Sequence, residues 1–478
     1  MKYFFLAVCC MTTSGVFNNA VAQKANGNTL SLKQCVEIGI QNNLLVKQSS
    51  LSTDAAKIDW QQSRLNMLPD ANAVLNHGIN KGRSIDPFTN SYINQQVNYA
   101  SYGIGSAVLL FNGLRLRNSV QQTELAYEAT KMDEQQQKDN LTVNIILAYL
   151  QVLTNEDLLT QSVNQAVLTK KQMERLEIMN KEGAIAPPLL YDLKGQYAND
   201  QLSIINNQNA LQTAKLNLCQ LMNIPYDKDL KIERLEPAEF AMLYTDSPET
   251  IHATALKQFA QVIAADLRKK SSEKAVKVAT SALYPSLTFN VNLNSNYSNA
   301  ASQEIFINTT DVTSTDYVIV NGNNVPVMRK QNNYESSKIT YGSQLNNNLF
   351  SSFGLNLSIP IFNALQARNR IKLAKIQVKN SDLIEQTTKT QLGQAIDQSF
   401  INLGTAADRY KTLQEQVNAY TESFHAAEIR FAAGVGTSID YLTAKNNLDR
   451  SNIDIISARY DYVLRTKLLD YYQGKKLW

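Results

Sequence analysis

Proline and glycine are scarce in this chain, 10 and 18 residues of 478, against usual frequencies of roughly 5% and 7%. Few breaks mean few, long elements. Charge is thin as well, 18% of residues where about 25% is typical, and Asn and Gln fill the deficit. A net charge of +4 from 46 basic and 42 acidic residues forms no basic block, so the electrostatic footprint of a nucleic-acid binder is missing. Two or three globular domains are the default at this length, because single cores stop growing at about 250–300 residues. A chain so poor in turn residues does not fit that default.

Groups that carry chemistry are equally sparse. His77, His252 and His425 are isolated, and no Cys/His spacing of the metal-ligand type occurs. There is no G-x-x-x-x-G-K-[ST] loop, no G-x-S-x-G elbow and no H-E-x-x-H helix. The sequence therefore predicts no enzyme and no cofactor. Lys2, the apolar run Tyr3 to Met11 and Ala20-Val21-Ala22 form the pattern of a secretory signal peptide over residues 1–22. About nine apolar residues are too few to span roughly 30 Å of hydrocarbon. Leu6-Ala7-Val8-Cys9 loosely imitates a lipoprotein box, but Val8 is large where a small residue is wanted. Cys9 and Cys10 leave with the leader, and only Cys35 and Cys219 remain in an oxidising compartment. They either pair or stay as two buried thiols.

The chain reads as if written twice. Leu110-Phe111-Asn112-Gly113-Leu114 is echoed by Ile361-Phe362-Asn363-Ala364-Leu365, an offset of 251, and Glu182-Gly183 meets Ala433-Gly434 at the same offset. Upstream, Leu68-Pro69 corresponds to Tyr284-Pro285 at an offset of 216. The difference places a 35-residue insertion between Pro285 and Phe362. A shared order of landmarks predicts two structural repeats, residues 23–235 and 236–478. Each reads as a helix, a strand hairpin (70–111 and 286–362) and a helical hairpin with its tip near 183–188 or 432–440.

No proline interrupts Asn112 to Lys181 or any residue after Pro360. In the first of these runs Leu141, Ile145, Tyr149 and Leu153 keep helical spacing. Seventy helical residues reach roughly 100 Å and need coiled-coil partners. The strand regions carry a period of two instead. Leu287, Phe289, Val291 and Leu293 alternate with Thr288, Asn290, Asn292 and Asn294, and Phe353 to Ile361 alternates likewise. Strands of about ten residues, apolar on one face, suit a transmembrane barrel, although any one of them equally suits a soluble sheet. Four strands cannot close, since about eight is the smallest barrel, and an open edge is not tolerated in lipid. The membrane reading therefore demands several copies: two give 8 strands, and three give 12 with room for a polar lumen. Pro360 falls one residue before the expected strand end, and the insertion from about Ser298 to Asn348 reads as a surface loop.

These features together resemble the TolC-type outer-membrane efflux protein family over about residues 30–475. Ala433-Gly434-Val435-Gly436-Thr437-Ser438-Ile439-Asp440-Tyr441-Leu442-Thr443-Ala444 is similar to the family's inner tip motif. The resemblance implies a mainly α fold with a membrane β-barrel part: long coiled-coil helical hairpins and four strands per chain, assembled as a homotrimer with a 12-stranded barrel and an α-helical tunnel. It also implies an outer-membrane exit duct with a large periplasmic part, passively conducting small molecules, drugs or secreted proteins. An inner-membrane pump and a periplasmic adaptor (membrane fusion protein) would be its partners. Gly183, Ala184, Gly434, Val435, Gly436 and Thr437 would be adaptor-contact tips. Asp440 takes the first acidic position of the periplasmic aperture, whereas Thr443 and Gly436 depart from the family's pattern of a second acid and a tip Arg. In a trimer Asp440 forms a ring of three carboxylates able to bind a cation; alternatively it caps a helix. Leu189 holds the equivalent place in the first repeat. A different class of reading also stands, a non-conducting periplasmic coiled-coil adaptor or scaffold.

Overall fold

The computed structural model describes residues 29–85, 90–234 and 247–475. The signal-peptide region, Cys9, Cys10 and the expected boundary at 235/236 lie outside these residues. In chain order the elements are α1 (Leu32–Asn42), α2 (Leu44–Leu65), β1 (Asp70–Asn80), β2 (Arg83–Ile85), β3 (Tyr92–Asn94) and β4 (Val97–Phe111). There follow α3 (Arg115–Lys181), α4 (Pro187–Met222), α5 (Pro248–Gln258), α6 (Ala260–Thr280), β5 (Ser286–Ser298), β6 (Ser302–Val320) and β7 (Asn323–Lys338). α7 (Tyr341–Asn347), β8 (Phe350–Ser358), α8 (Gln366–Ala432) and α9 (Ser438–Tyr472) complete it. The fold is mainly helical. α3 and α8 have 67 residues each, about 100 Å of helix.

Where one helix was expected before each strand pair, the structure has two. α1 and α5 both stop after 11 residues, and the breaks, Asn43 and Phe259, leave the helical region with ψ of 128° and 120°. Asn43 explains the first break. Its Oδ1 accepts the Leu45 N–H at 2.9 Å and starts α2, while its Nδ2 donates to the Leu221 carbonyl at 3.1 Å. Phe259 has no such side-chain cap.

Two compact units result, each drawing on both halves of the chain. Of the described residues, one contains 29–46, 138–234, 247–248 and 397–475. One of its cores joins α1, α3 and α4 through Val36, Ile145, Tyr149, Leu153, Leu218 and Met222. Cys35 and Cys219 belong to this core as free, fully buried thiols, so the second of the two expectations for them is the one observed. Burial, with Cys219 nearby, pushes the Cys35 thiol up to about 12, which keeps it protonated and unreactive at neutral pH.

The other unit, residues 47–137 and 249–396, holds a four-stranded antiparallel sheet of order β1-β4-β5-β8. Its register aligns the alternation read from the sequence. Leu287, Phe289 and Val291 lie opposite Leu357, Leu355 and Phe353, building an apolar face. On the other face Asn72, Gly105, Asn292 and Ser352 form one cross-strand row, and Asn76, Ser101 and Asn296 another. Gly103 and Gly105 leave the space that Asn294 and Asn292 fill: a Cβ there would lie 2.9 and 3.3 Å from their Oδ1 atoms. β1 and β8 are the open edges.

Three strand expectations need correction. β8 ends at Ser358, so Pro360 stands outside the strand rather than within it. The insertion is not a loop but a long hairpin, β6 paired with β7, followed by α7. With β2 and β3, the described residues contain more than the four strands expected. The β6–β7 alternation was unreadable because the register shifts between Phe306 and Asn308 and between Thr313 and Tyr317. An Asn321-Gly322 turn with φ of 53° and 85° closes it, the residue pair such turns favour.

Gly113 joins β4 to α3 at φ +64°, and a Cβ there would come within 2.7 Å of Tyr284 Cβ and 3.0 Å of the Ser281 carbonyl. Gly183, at φ +76°, has open space around it. We expect Gly183→Ala to lose only the backbone preference, about 1–2 kcal/mol, and Gly113→Ala to lose distinctly more. Thermal unfolding of the two variants against the parent chain measures the difference.

Candidate functional site

Long helices become a site where they turn. α3 ends in a Schellman arrangement: the Gly183 N–H donates to Asn180 O at 3.1 Å and the Ala184 N–H to Met179 O at 2.8 Å. α8 repeats it with Gly434 to Phe431 (3.1 Å) and Val435 to Arg430 (3.0 Å). Gly436 is needed for a different reason. A Cβ there would sit 3.0 Å from the Phe431 nitrogen and 3.2 Å from the Arg430 carbonyl carbon, so a side chain would push the returning backbone away by a few tenths of an ångström. α4 then starts with Pro187 and Pro188 in its first turn, where their missing N–H groups cost nothing.

Thr437 and Asp440 start α9 as a reciprocal capping box. The Thr437 Oγ1 accepts the Asp440 N–H at 3.1 Å, and the Asp440 carboxylate accepts from the Thr437 hydroxyl at 2.8 Å and its N–H at 3.4 Å. These bonds hold the Asp440 carboxyl below the usual carboxylate range. Asp440 is exposed and does cap the helix, as one of its two expected roles required.

The expected contact residues Gly183, Ala184, Gly434, Val435 and Thr437 are all exposed, with Gly436 half-buried. Behind them the two hairpin ends share a small core. Leu176, Leu190 and Leu193 pack with Phe424 and Tyr441, and Phe431 stacks on Tyr441 with ring centroids 4.8 Å apart. Arg175 of α3 donates to the last carbonyl of α8, Ala432 O, at 3.0 Å. The tips are thus fastened side by side.

Sequence reasoning missed the charged group nearest this core. Lys445 on α9 is 1% exposed and meets Asp200 of α4 at 3.3 Å and Asp449 at 2.6 Å. Asp200 also accepts from Gln196 Nε2 at 2.7 Å and from the buried Thr169 hydroxyl of α3. Burial pushes the Asp449 carboxyl up, with the Lys445 ammonium opposing it. The available signal was position: Lys445 lies one turn after Tyr441 and one before Asp449, on the stripe that faces the other helices. No group of acids, His and Cys among the described residues could hold a metal ion, and no described helix is long and apolar enough to cross a membrane.

A four-stranded sheet with one apolar face and two open edges, in a chain with two long helical hairpins, sets the class of fold. Comparison with known proteins makes this specific. The outer membrane efflux protein profile matches residues 37–223 and 252–470, and the chain belongs to that family. The outer membrane protein TolC of Vibrio cholerae is 21% identical over 414 residues, 86% of this chain and 83% of the relative. Among solved structures, the Vibrio cholerae outer membrane protein VceC superposes with a TM-score of 0.74 at 14% identity, covering 94% of this chain and 97% of that one. The Campylobacter jejuni CmeC outer membrane channel gives 0.73 at 14% identity, covering 93% and 87%. The protein is an outer-membrane efflux channel by family.

Thr437→Ala removes the cap hydroxyl and is expected to cost about 1 kcal/mol. Because the Asp440 carboxyl is held low, its contribution is present above the ordinary carboxylate range and fades as pH falls through the lowered value. Hydrogen exchange at the α9 start should therefore distinguish Asp440→Asn from the parent at neutral pH and cease to do so in strong acid. Lys445→Ala leaves the buried Asp200 and the half-buried Asp449 without a counter-charge and should cost about 3 kcal/mol, read by denaturant unfolding.

Proposed function

We propose that this chain is one third of an outer-membrane exit duct, a homotrimer whose three four-stranded sheets close into a 12-stranded barrel. Its helical hairpins form a periplasmic tunnel that meets an adaptor and an inner-membrane pump. The observation that carries this is the sheet itself: apolar on one face, asparagine-lined on the other, and open at both β1 and β8. An open edge leaves backbone groups unpaired, which lipid does not tolerate, and closure by further copies satisfies them. Helix surfaces support the same reading. Leu44, Leu51, Ile58 and Leu65 of α2 recur every seven residues and are exposed, as are Ile376 and Leu383 of α8. That is coiled-coil spacing, left uncovered in a single copy.

In this reading outer-membrane lipid covers the apolar face and the Asn rows line a neutral lumen. The exposed tips, Gly183 with Ala184 and Gly434 through Thr437, receive the adaptor, and the three Asp440 carboxylates ring the periplasmic aperture. The sequence carries no phosphate-binding loop of the G-x-x-x-x-G-K-[ST] type, and in this reading conduction is passive and the pump supplies direction. Drugs, other small molecules or secreted proteins are the cargo class.

Purified protein in planar bilayers should give discrete single-channel conductance, and Asp440→Asn should alter leak or cation block. A folded trimer that never conducts would overturn the duct in favour of a non-conducting scaffold. Unchanged block in Asp440→Asn would leave that residue its capping role alone.

A further inference from the structure

We infer that β8 of one copy pairs with β1 of the next in a single register, with Leu357 opposite Leu75, and that each chain already contains the template for this seam. The inference rests on the closed-sheet reading above and deepens it.

Two sequence offsets relate the elements. Adding 216 to each β1 residue and 251 to its β4 partner converts β1–β4 pairs into β5–β8 pairs. Asp70 opposite Ala107 becomes Ser286 opposite Ser358, Leu75 opposite Tyr102 becomes Val291 opposite Phe353, and Gly78 opposite Tyr99 becomes Asn294 opposite Phe350. Every β5–β8 pair is obtained this way. The unusual backbone positions obey the same offsets. Gly113 and Leu114 have φ of 64° and 63°, and Ala364 and Leu365 have 51° and 63°. Gly183 and Gly434 both have 76°, and the breaks at Asn43 and Phe259 are 216 apart.

One ladder in the sheet remains, β4 with β5, where the first half of the chain meets the second. Carrying its β4 residues forward by 251 and its β5 residues back by 216 gives β8 against β1. Ser106 opposite Val291 becomes Leu357 opposite Leu75, Gly105 opposite Asn292 becomes Asn356 opposite Asn76, and Tyr102 opposite Ser295 becomes Phe353 opposite Ile79. In one copy these strands are opposite edges with two strands between them, about 14 Å apart at the usual spacing. Only a second copy can make the ladder. Chemistry agrees at these three pairs, Leu357 with Leu75 and Phe353 with Ile79 continuing the apolar face and Asn356 with Asn76 the polar one, whereas Leu355 meets His77 and Ser358 meets Val74. A slip of one residue would reverse every side chain.

The segment after β8 supports the same seam. Ile361 and Phe362 are 96% and 80% exposed on backbone that forms no strand. Lipid does not accept such unpaired backbone, so protein is the cover that suits them. Within the chain, the equivalent junction packs Gly113 on Tyr284, with Ser281 Oγ donating to Gly113 O at 2.7 Å. The offsets therefore bring Ala364 of one copy to Leu65 and Leu68 of the next. Beside these lies a 590 Å³ cavity lined by Gln61, Arg64, Leu65, Met67, Leu68 and Val120.

Cysteine pairs test the register, because directly opposed strand residues fall within disulfide reach and residues two positions away do not. The full chain carrying Leu75→Cys with Leu357→Cys, or Asn76→Cys with Asn356→Cys, is oxidised in detergent with copper phenanthroline and run on a non-reducing denaturing gel. The parent chain, whose Cys35 and Cys219 are buried, sets the background. Covalent dimers and trimers that reduction removes are expected for both pairs, at least tenfold above Ala73→Cys with Leu357→Cys. Stronger crosslinking at the shifted pair, or none at either opposed pair in a protein of trimeric native mass, overturns the register while closure stands. A native mass of one copy with no crosslink anywhere overturns closure itself.

Discussion

Backbone hydrogen bonding in a sheet with two free edges is the constraint on which this molecule depends. Side-chain patterning makes one face of the β1-β4-β5-β8 sheet apolar and the other amide-rich. Neither face supplies what the outer N–H and C=O groups of β1 and β8 lack. In water those groups would be solvated. Beside lipid each would cost several kcal/mol, so if the apolar face meets lipid as proposed, further copies must cover the edges. α7 addresses the same problem locally. β5 extends past its last partner in β8, and there Gln344 Oε1 accepts the Ser298 N–H at 2.9 Å while Asn348 Nδ2 donates to Asn296 O at 2.7 Å. Amide side chains stand in for a strand that has ended.

The helices solve a different problem. Helices of 67 residues carry weak amphipathic patterns because each touches different neighbours along its length. Their ends are fixed by specific devices instead: Schellman turns at Gly183 and Gly434, and a capping box at Thr437 and Asp440. Near the tips, apolar packing gives way to the buried Lys445 with its two carboxylates. A buried ion pair adds little net stability over an apolar equivalent. What it adds here is a geometric requirement: Asp200, Thr169 and Lys445 come from α4, α3 and α9, and the bonds among them form only when the three helices are in place.

The long helices, the tip positions and the strands 286–298 and 350–358 were legible because proline absence, glycine placement and period-two alternation are local signals. Asn43 was not, because its cap on the Leu45 N–H is local but its anchor on the Leu221 carbonyl comes from a distant part of the chain. Nor was the β6–β7 hairpin, because it is exposed on both faces and its register shifts twice, so no face is selected by burial. Lys445 was invisible for the opposite reason. A lysine in a helical run reads as solvated, and its burial here rests on Asp200, arriving from another helix 245 residues away, together with Asp449 one turn on.

Positions 251 apart show how one local pattern acquires two meanings. Lys194 and Lys445 are so related, as are Glu177 and Glu428. In the first hairpin Lys194 bonds Glu177 at 2.8 Å on the surface. In the second, Lys445 turns inward to Asp200 and Asp449, and Glu428 accepts from Gln172 at 3.4 Å instead. The acids that draw Lys445 inward have no partner acid at the related positions, which are Ala198 and Ser451. Asp440 is likewise matched by Leu189. The scaffold is therefore duplicated while its ionisable chemistry near the tips is not. In the trimer proposed above, six hairpins of two kinds would alternate, and three of the six would carry the Asp440 carboxylate. An aperture built on that plan would be threefold in charge although its hairpins repeat six times, so a change at the second hairpin alone would be enough to alter it.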